Sequence, residues 1–119
     1  MNVEILKNAG IDYDHAVKRF MGKASIYEKV LGDFLNDTAL DRALVAFDAG
    51  DTQGLFSCAH EIKGVSGNMD ITRLYDATCE LVELLRGGKF SDDALKAAFL
   101  SFQSAYMNAK MAVWEAMQE

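Results

Sequence analysis

Not one proline interrupts the 119 residues, and apolar side chains recur three and four positions apart along the whole chain. Proline is the residue a helix interior rejects, because it lacks an N–H and its ring collides with the preceding turn. Nowhere does apolar and polar character alternate over a strand's length. The spacing follows the helical period of about 3.6 residues, so the chain folds as helices. Its nine glycines fall mostly at segment boundaries, which makes the connections short turns.

The boundaries can be placed from capping signals. A short leader helix is expected from about 12 to 21, after Asp12 and before Gly22. Ser25 and Glu28 have the spacing of a capping box, in which each side chain satisfies an orphan N–H. That helix should run to Gly50, with a kink or break at 36–38. Asp51 is placed to cap a third segment that reaches Met69. Asp70 or Thr72 then caps a fourth, which Gly87 and Gly88 end in left-handed geometry. Ser91 caps the last, with Asp92 and Asp93 favourable to its dipole. Leu95, Phe99, Phe102, Tyr106, Ala109, Val113 and Met117 form its apolar stripe. Met107 and Met111 read as core and flank, and Trp114 as a clamp over the open end of the bundle.

Four main helices result, near 25–49, 52–69, 72–86 and 92–117, and links this short make neighbours antiparallel. The expected fold is all-α: an antiparallel up-down-up-down four-helix bundle with a short N-terminal leader helix. The length suits one domain spanning 1–119, with the leader at about 12–21 and the bundle at about 25–117.

Charge and cysteine content exclude several roles. Eighteen acids against twelve bases give a net charge of −6, which repels phosphate backbones, so no nucleic-acid partner is expected. No apolar run is long enough to span a bilayer. The opening MNVEILKNAGIDYD lacks the basic head and apolar stretch of a signal peptide. Cys58 and Cys79 form no CxxC motif and read as free thiols of a reduced, cytoplasmic protein. Cys58, His60 and Glu61 diverge on a helical wheel, so no metal site is expected. There is no glycine-rich nucleotide cradle, so no cofactor is expected either. No pair of carboxylates is spaced for acid–base catalysis, and His15 reads as a solvated residue at the start of the leader. Nothing demands more than a monomer.

The third segment is unusual. Its core stripe is Leu55, Ala59, Ile62, Ser66 and Met69, spaced as a bundle seam. At roughly 100° per residue, His60 lies about 200° from the centre of that stripe, so it points outward. Its outer-face neighbours are Phe56, Lys63, Gly64 and Gly67. A glycine in a helix interior costs about 1 kcal/mol relative to alanine, so two on one exposed face call for a reason. Close approach of another surface supplies one. Lys63, one turn after His60, brings positive charge beside the imidazole. An accessible histidine, a lysine and a cleared platform suit a phosphorylated imidazole, whose phosphate would carry nearly two negative charges. Phe56, one turn before, either leans sideways into the packing or offers an apolar contact to a docking partner.

The run from Ala59 to Asn68, AHEIKGVSGN, resembles the signature of histidine-containing phosphotransfer (HPt) domains. That pattern is a histidine, any residue, an aliphatic, lysine, glycine and then small residues. Ile62, Lys63, Gly64, Ser66 and Gly67 match it in place. Leu74 and the pair Glu80-Leu81 fit downstream, and the resemblance covers about residues 12 to 115. Two positions depart from it. Asp70 stands where the family often has a small residue, and Val82 stands near the place from which some members offer Gln or Glu to the imidazole.

The resemblance implies a phosphorelay intermediate of two-component signalling. His60 would accept a phosphoryl group from the aspartyl phosphate of a receiver domain and pass it to another receiver. Lys63 would stabilise the phosphate, and Phe56, Gly64 and Gly67 would form the receiver-docking platform. The partners would be receiver domains of response regulators or hybrid histidine kinases, and Mg²⁺ would be the receiver's. Such a protein has no kinase activity of its own. Two alternatives are a non-catalytic helical adaptor or inhibitor of a kinase or receiver, and the phospho-accepting domain of a chemotaxis-type kinase. The chain begins at Met1 and holds no kinase core, which favours a stand-alone protein over the latter.

Overall fold

The computed structural model describes residues 1–118. Its helices are α1 Val3–Asn8, α2 Tyr13–Arg19, α3 Ala24–Asp33, α4 Ala39–Asp48, α5 Thr52–Asn68, α6 Thr72–Gly87 and α7 Asp92–Ala116, with a 3-10 turn at Phe34–Asn36. The protein is all-helical. Among the described residues there is no strand, only an isolated antiparallel bridge between Ile11 and Ile71.

Most boundaries follow the capping chemistry. Asp51 accepts from the Gly54 N–H at 2.9 Å and Ser91 from the Ala94 N–H at 3.1 Å, so both cap as their side chains require. Gly88 closes α6 at φ +71°, a conformation that costs a glycine nothing.

The first half of the chain differs from the expectation in three ways. Helix α1 lies ahead of the expected leader, capped by Asn2 and packed on α7 through the fully buried Leu6. Six residues are too few to display a helical period. Next, the capping box of Ser25 and Glu28 does not form, because α3 begins one residue earlier and places Ser25 inside the first turn. Glu28 instead accepts from the Tyr13 hydroxyl at 3.2 Å and lies 3.5 Å from the N-terminal ammonium. Lastly, the kink or break expected at 36–38 is a full division of the 25–49 stretch into α3, the 3-10 turn and α4. Asp37 is extended there, receives the Ala39 N–H at 3.0 Å and the Tyr106 hydroxyl, and its carbonyl accepts from the Lys110 ammonium. The break is thus fastened to α7.

The core is continuous. Leu55, Ala59, Ile62, Ser66 and Met69 of the expected α5 seam are all buried, with Leu31, Leu74, Leu81, Phe99 and Phe102 around them. Helix α5 packs against α4 and α6, and α6 packs against α7. Phe47 and Phe99 stack at 4.2 Å, tying α4 to α7. Along α7, Phe99, Phe102, Tyr106, Ala109 and Val113 are buried as expected, but the other large side chains are not. Met107, Met111, Trp114 and Met117 are 55%, 60%, 56% and 46% exposed. Trp114 therefore clamps nothing, and the methionines lie outside the core. Spacing sets Met107 and Met111 on the face of α7 turned from the bundle, whereas Met117, just past the end of α7, falls on the inner side, near Gly32 of α3.

Candidate functional site

Helix α5 positions the site. Ala59 and Ile62, both fully buried, fix the inner face of the helix, and His60 between them is carried outward and exposed. No described residue hydrogen-bonds its imidazole. Val82 of α6 is fully buried and offers it no polar partner. The ring contact is instead with Phe56, one turn before, at 5.9 Å between centroids and 29° between planes. Phe56 is half-buried and packs against the core. Its ring also meets the Arg86 guanidinium of α6 at 5.8 Å.

Lys63 follows His60 by one turn and is half-buried, with no carboxylate paired to it among the described residues. Glu61, beside His60, is taken by Arg42 at 2.8 Å. Cys58 is buried and Cys79 half-buried, and both are free. These surroundings leave Lys63 as the charge nearest in sequence to the imidazole that is not neutralised by a salt bridge.

The two glycines behave differently. A Cβ built at Gly64 meets nothing within 4 Å, so this position is bare. At Gly67 a Cβ would stand 3.0 Å from the Tyr75 ring of α6. Gly67 lets α6 approach α5, and its open face is filled by the chain's own tyrosine.

A cleft of about 680 Å³ runs from His60, Lys63 and Gly64 along α5 to Arg19 and Asp70, with Tyr75 on its α6 wall. Asp70 does not cap α6, whose N-cap is Ile71 and has no side-chain bond. It occupies the turn at φ +54°. Its carboxylate lies 3.0 Å from His15 Nδ1 and 3.3 Å from Arg19 Nε, the latter contact without hydrogen-bond alignment. His15 is accordingly a tether of α2 to this turn and not a merely solvated residue. The Asp12 N–H to the Asp70 carbonyl, at 2.9 Å, adds a backbone link.

Compared with known families, the chain matches the Hpt domain over residues 29–116. It belongs to the Hpt domain family. No curated protein and no solved structure matches it. An Hpt domain takes part in histidine phosphotransfer in two-component signalling, as a phosphotransfer module and not a kinase.

Within this Hpt domain, several cleft residues escaped the sequence reading. Arg19 lies far from His60 in the chain, at the end of α2, so no local pattern links the two. Tyr75 carried no periodic signal of its own. The one available sign was Gly67, because a glycine in a helix interior implies a neighbour close by, and that neighbour is Tyr75.

Proposed function

We propose that this Hpt domain is a phosphorelay intermediate in which His60 is the phospho-acceptor. The observation that carries this reading is the exposed imidazole, free of hydrogen bonds to described residues, one turn from a lysine without a salt bridge. An imidazole nitrogen with its lone pair attacks the phosphorus of a receiver's aspartyl phosphate. The N–P bond forms, the acyl P–O bond breaks, and the aspartate leaves as a carboxylate. Transfer onward reverses these bonds with a second receiver. Charge on the phosphoryl oxygens is what a catalyst must stabilise in such a transfer. Lys63 supplies one positive charge from this side, and the receiver brings Mg²⁺. The domain needs no cofactor of its own.

Phe56 and Gly64 form the docking platform in this reading, with Gly67 contributing through the Tyr75 ring that covers it. The supporting arrangement is an antiparallel up-down-up-down bundle, inferred from the packing of α4 on α5, α5 on α6 and α6 on α7 across short links. The domain acts as a monomer in the cytoplasm with receiver domains as partners. No helix of the described chain is long and apolar enough to cross a membrane.

The test is a phosphotransfer screen against receiver domains, with wild type and His60→Gln. Wild type should gain an acid-labile label from a phosphorylated receiver, and His60→Gln should stay folded and gain none. ATP and Mg²⁺ alone should label neither. Transfer to the mutant, or an acid-stable label on serine, would overturn the assignment.

A further inference from the structure

Leu100, Met107, Met111 and Trp114 fall within an arc of about 60° on α7, taking 100° per residue, and that arc is turned about 150° from the buried face. All four are at least half exposed. Trp114 is the chain's single tryptophan. Surface helices normally carry charge there, and contiguous exposed apolar side chains of this size mark interaction sites. Three of the four wall a groove of about 500 Å³, floored by Leu35, Leu40 and Tyr106. Methionine suits such a wall, because its flexible thioether adapts to a partner's shape.

The charges around the groove indicate its occupant. Lys110 is the cation in the lining, and its ammonium is bent inward. It donates to the Asp37 carbonyl and lies 5.1 Å from the Tyr106 ring centre and 5.9 Å from that of Phe34. Asp37 is engaged by Tyr106 and the Ala39 N–H. Asp41 is different: it is exposed on the rim and no described residue pairs with it. The groove thus shows a partner large apolar side chains and an unanswered carboxylate, on a chain of net charge −6. Nucleic acid and anionic membrane surfaces have the wrong sign. An apolar groove lined along two turns of α7 suits the apolar face of a helix.

We infer that the groove between α4 and α7, walled by Met107, Met111 and Trp114 and rimmed by Asp41, docks a basic amphipathic helix of a partner protein. It shares no lining residue with the His60 cleft, so both surfaces can be occupied at once. The inference goes beyond the relay reading and does not depend on His60 carrying phosphate.

Trp114 reports directly on the groove. The probe is a synthetic helical peptide of leucine and lysine with its leucines on one face, added to the full chain, and its control is the leucine–glutamate peptide of the same pattern. The leucine–lysine peptide should shift Trp114 emission to the blue and saturate, and the glutamate peptide should not. Asp41→Lys should weaken binding by about fivefold through the lost rim charge, and Met111→Lys by more. Glu80→Lys, an equal charge change on α6, should leave it unchanged, as should His60→Gln. Circular dichroism checks that each variant is folded. Equal binding of both peptides would overturn the inference, and so would equal weakening by Asp41→Lys and Glu80→Lys, which would mean unspecific attraction. Concentration-dependent dimerisation that itself shifts Trp114 would give the groove to a second copy, and a blue shift with anionic vesicles would give it to a membrane. Either result overturns the inference.

Discussion

The Phe56 ring lies against the His60 imidazole at 5.9 Å and is itself met by Arg86 at 5.8 Å. Arg86 is in turn paired with Glu83. His60 is therefore the exposed end of a stack that begins on α6. A ring in this position restricts the imidazole as well as offering apolar surface. Aromatic pairs of this kind contribute about 0.5–1.5 kcal/mol beyond their burial, which corresponds to a rate effect of a few-fold to about tenfold if the stacked rotamer is the reactive one. Phe56→Leu should slow His60 phosphorylation by phosphoramidate, and by a receiver still more, because the ring also belongs to the docking platform. It should also move the His60 ring proton resonances, which the Phe56 ring current displaces. Phe56→Tyr should restore both. Slowing with the receiver alone would show that Phe56 acts only in docking.

The two glycines after His60 separate a stability effect from a docking effect. Gly64→Ala adds a methyl group in open space and should raise stability by up to about 1 kcal/mol. Gly67→Ala sets its Cβ 3.0 Å from Tyr75, so its gain should be smaller than that of Gly64→Ala or reversed. Gly64→Gln should keep the fold and slow transfer from a receiver, while reacting normally with phosphoramidate. Urea denaturation gives the ordering, and the comparison of donors gives the docking effect. Equal loss toward both donors would show that Gly64 serves the imidazole and not the approach of a partner.

Asp70 holds a backbone conformation that suits glycine better. At φ +54° a residue with a side chain is strained by about 1–2 kcal/mol. The contact with His15 and the ion pair with Arg19 offset part of that, discounted because both partners are about half exposed. Asp70→Ala loses these contacts and keeps the strain, whereas Asp70→Gly loses the contacts and the strain together. Asp70→Ala should therefore be the less stable by about 1 kcal/mol, with Asp70→Asn between them, in urea denaturation. Equal stability of the alanine and glycine variants would mean that the turn relaxes out of the left-handed region.

Where a signal was local, the sequence held it. The Asp51 and Ser91 caps, the Gly88 stop and the buried seam of α5 rest on neighbours within a turn or two, and periodicity reports those. His60 followed from that seam, since whatever opposes it on the wheel must face outward. What could not be read depends on contacts distant in the chain. Ser25 and Glu28 matched a capping pattern, yet Tyr13 and the N-terminus claim the carboxylate. Asp70 looked like a cap until α2 supplied His15 and Arg19. Met107 and Met111 read as core and flank, and Trp114 as a clamp over the open end of the bundle, because they are apolar. Their wheel positions, taken against Phe102, Tyr106 and Val113, already placed them on the opposite face. Composition outweighed periodicity there, and the structure favours periodicity.

The four tyrosines give the pH dependence. Burial, with the Asp70 charge added, raises the Tyr27 phenol well above its ordinary value. Burial and the hydrogen bond to Asp37 do the same for Tyr106. Tyr13 is raised by burial and Glu28, and Tyr75 chiefly by Cys79. In each case the fold favours the neutral phenol. The stability this contributes is complete below the unfolded value of about 10 and is lost progressively as the pH rises beyond it. Phenolate absorbance followed from neutral to strongly alkaline pH should show Tyr27 and Tyr106 ionising only with unfolding, after Tyr13 and Tyr75. Tyr27→Phe and Tyr106→Phe assign the late signals. Tyr27→Phe also leaves the Met69 carbonyl without the hydroxyl it accepts from at 2.7 Å, and should cost about 1–3 kcal/mol at neutral pH. That carbonyl ends the helix bearing His60, so the loss should appear as a lower urea midpoint together with faster amide exchange in the last turn of α5. Four tyrosines titrating together near pH 10 in a folded chain would contradict the burial of these two phenols.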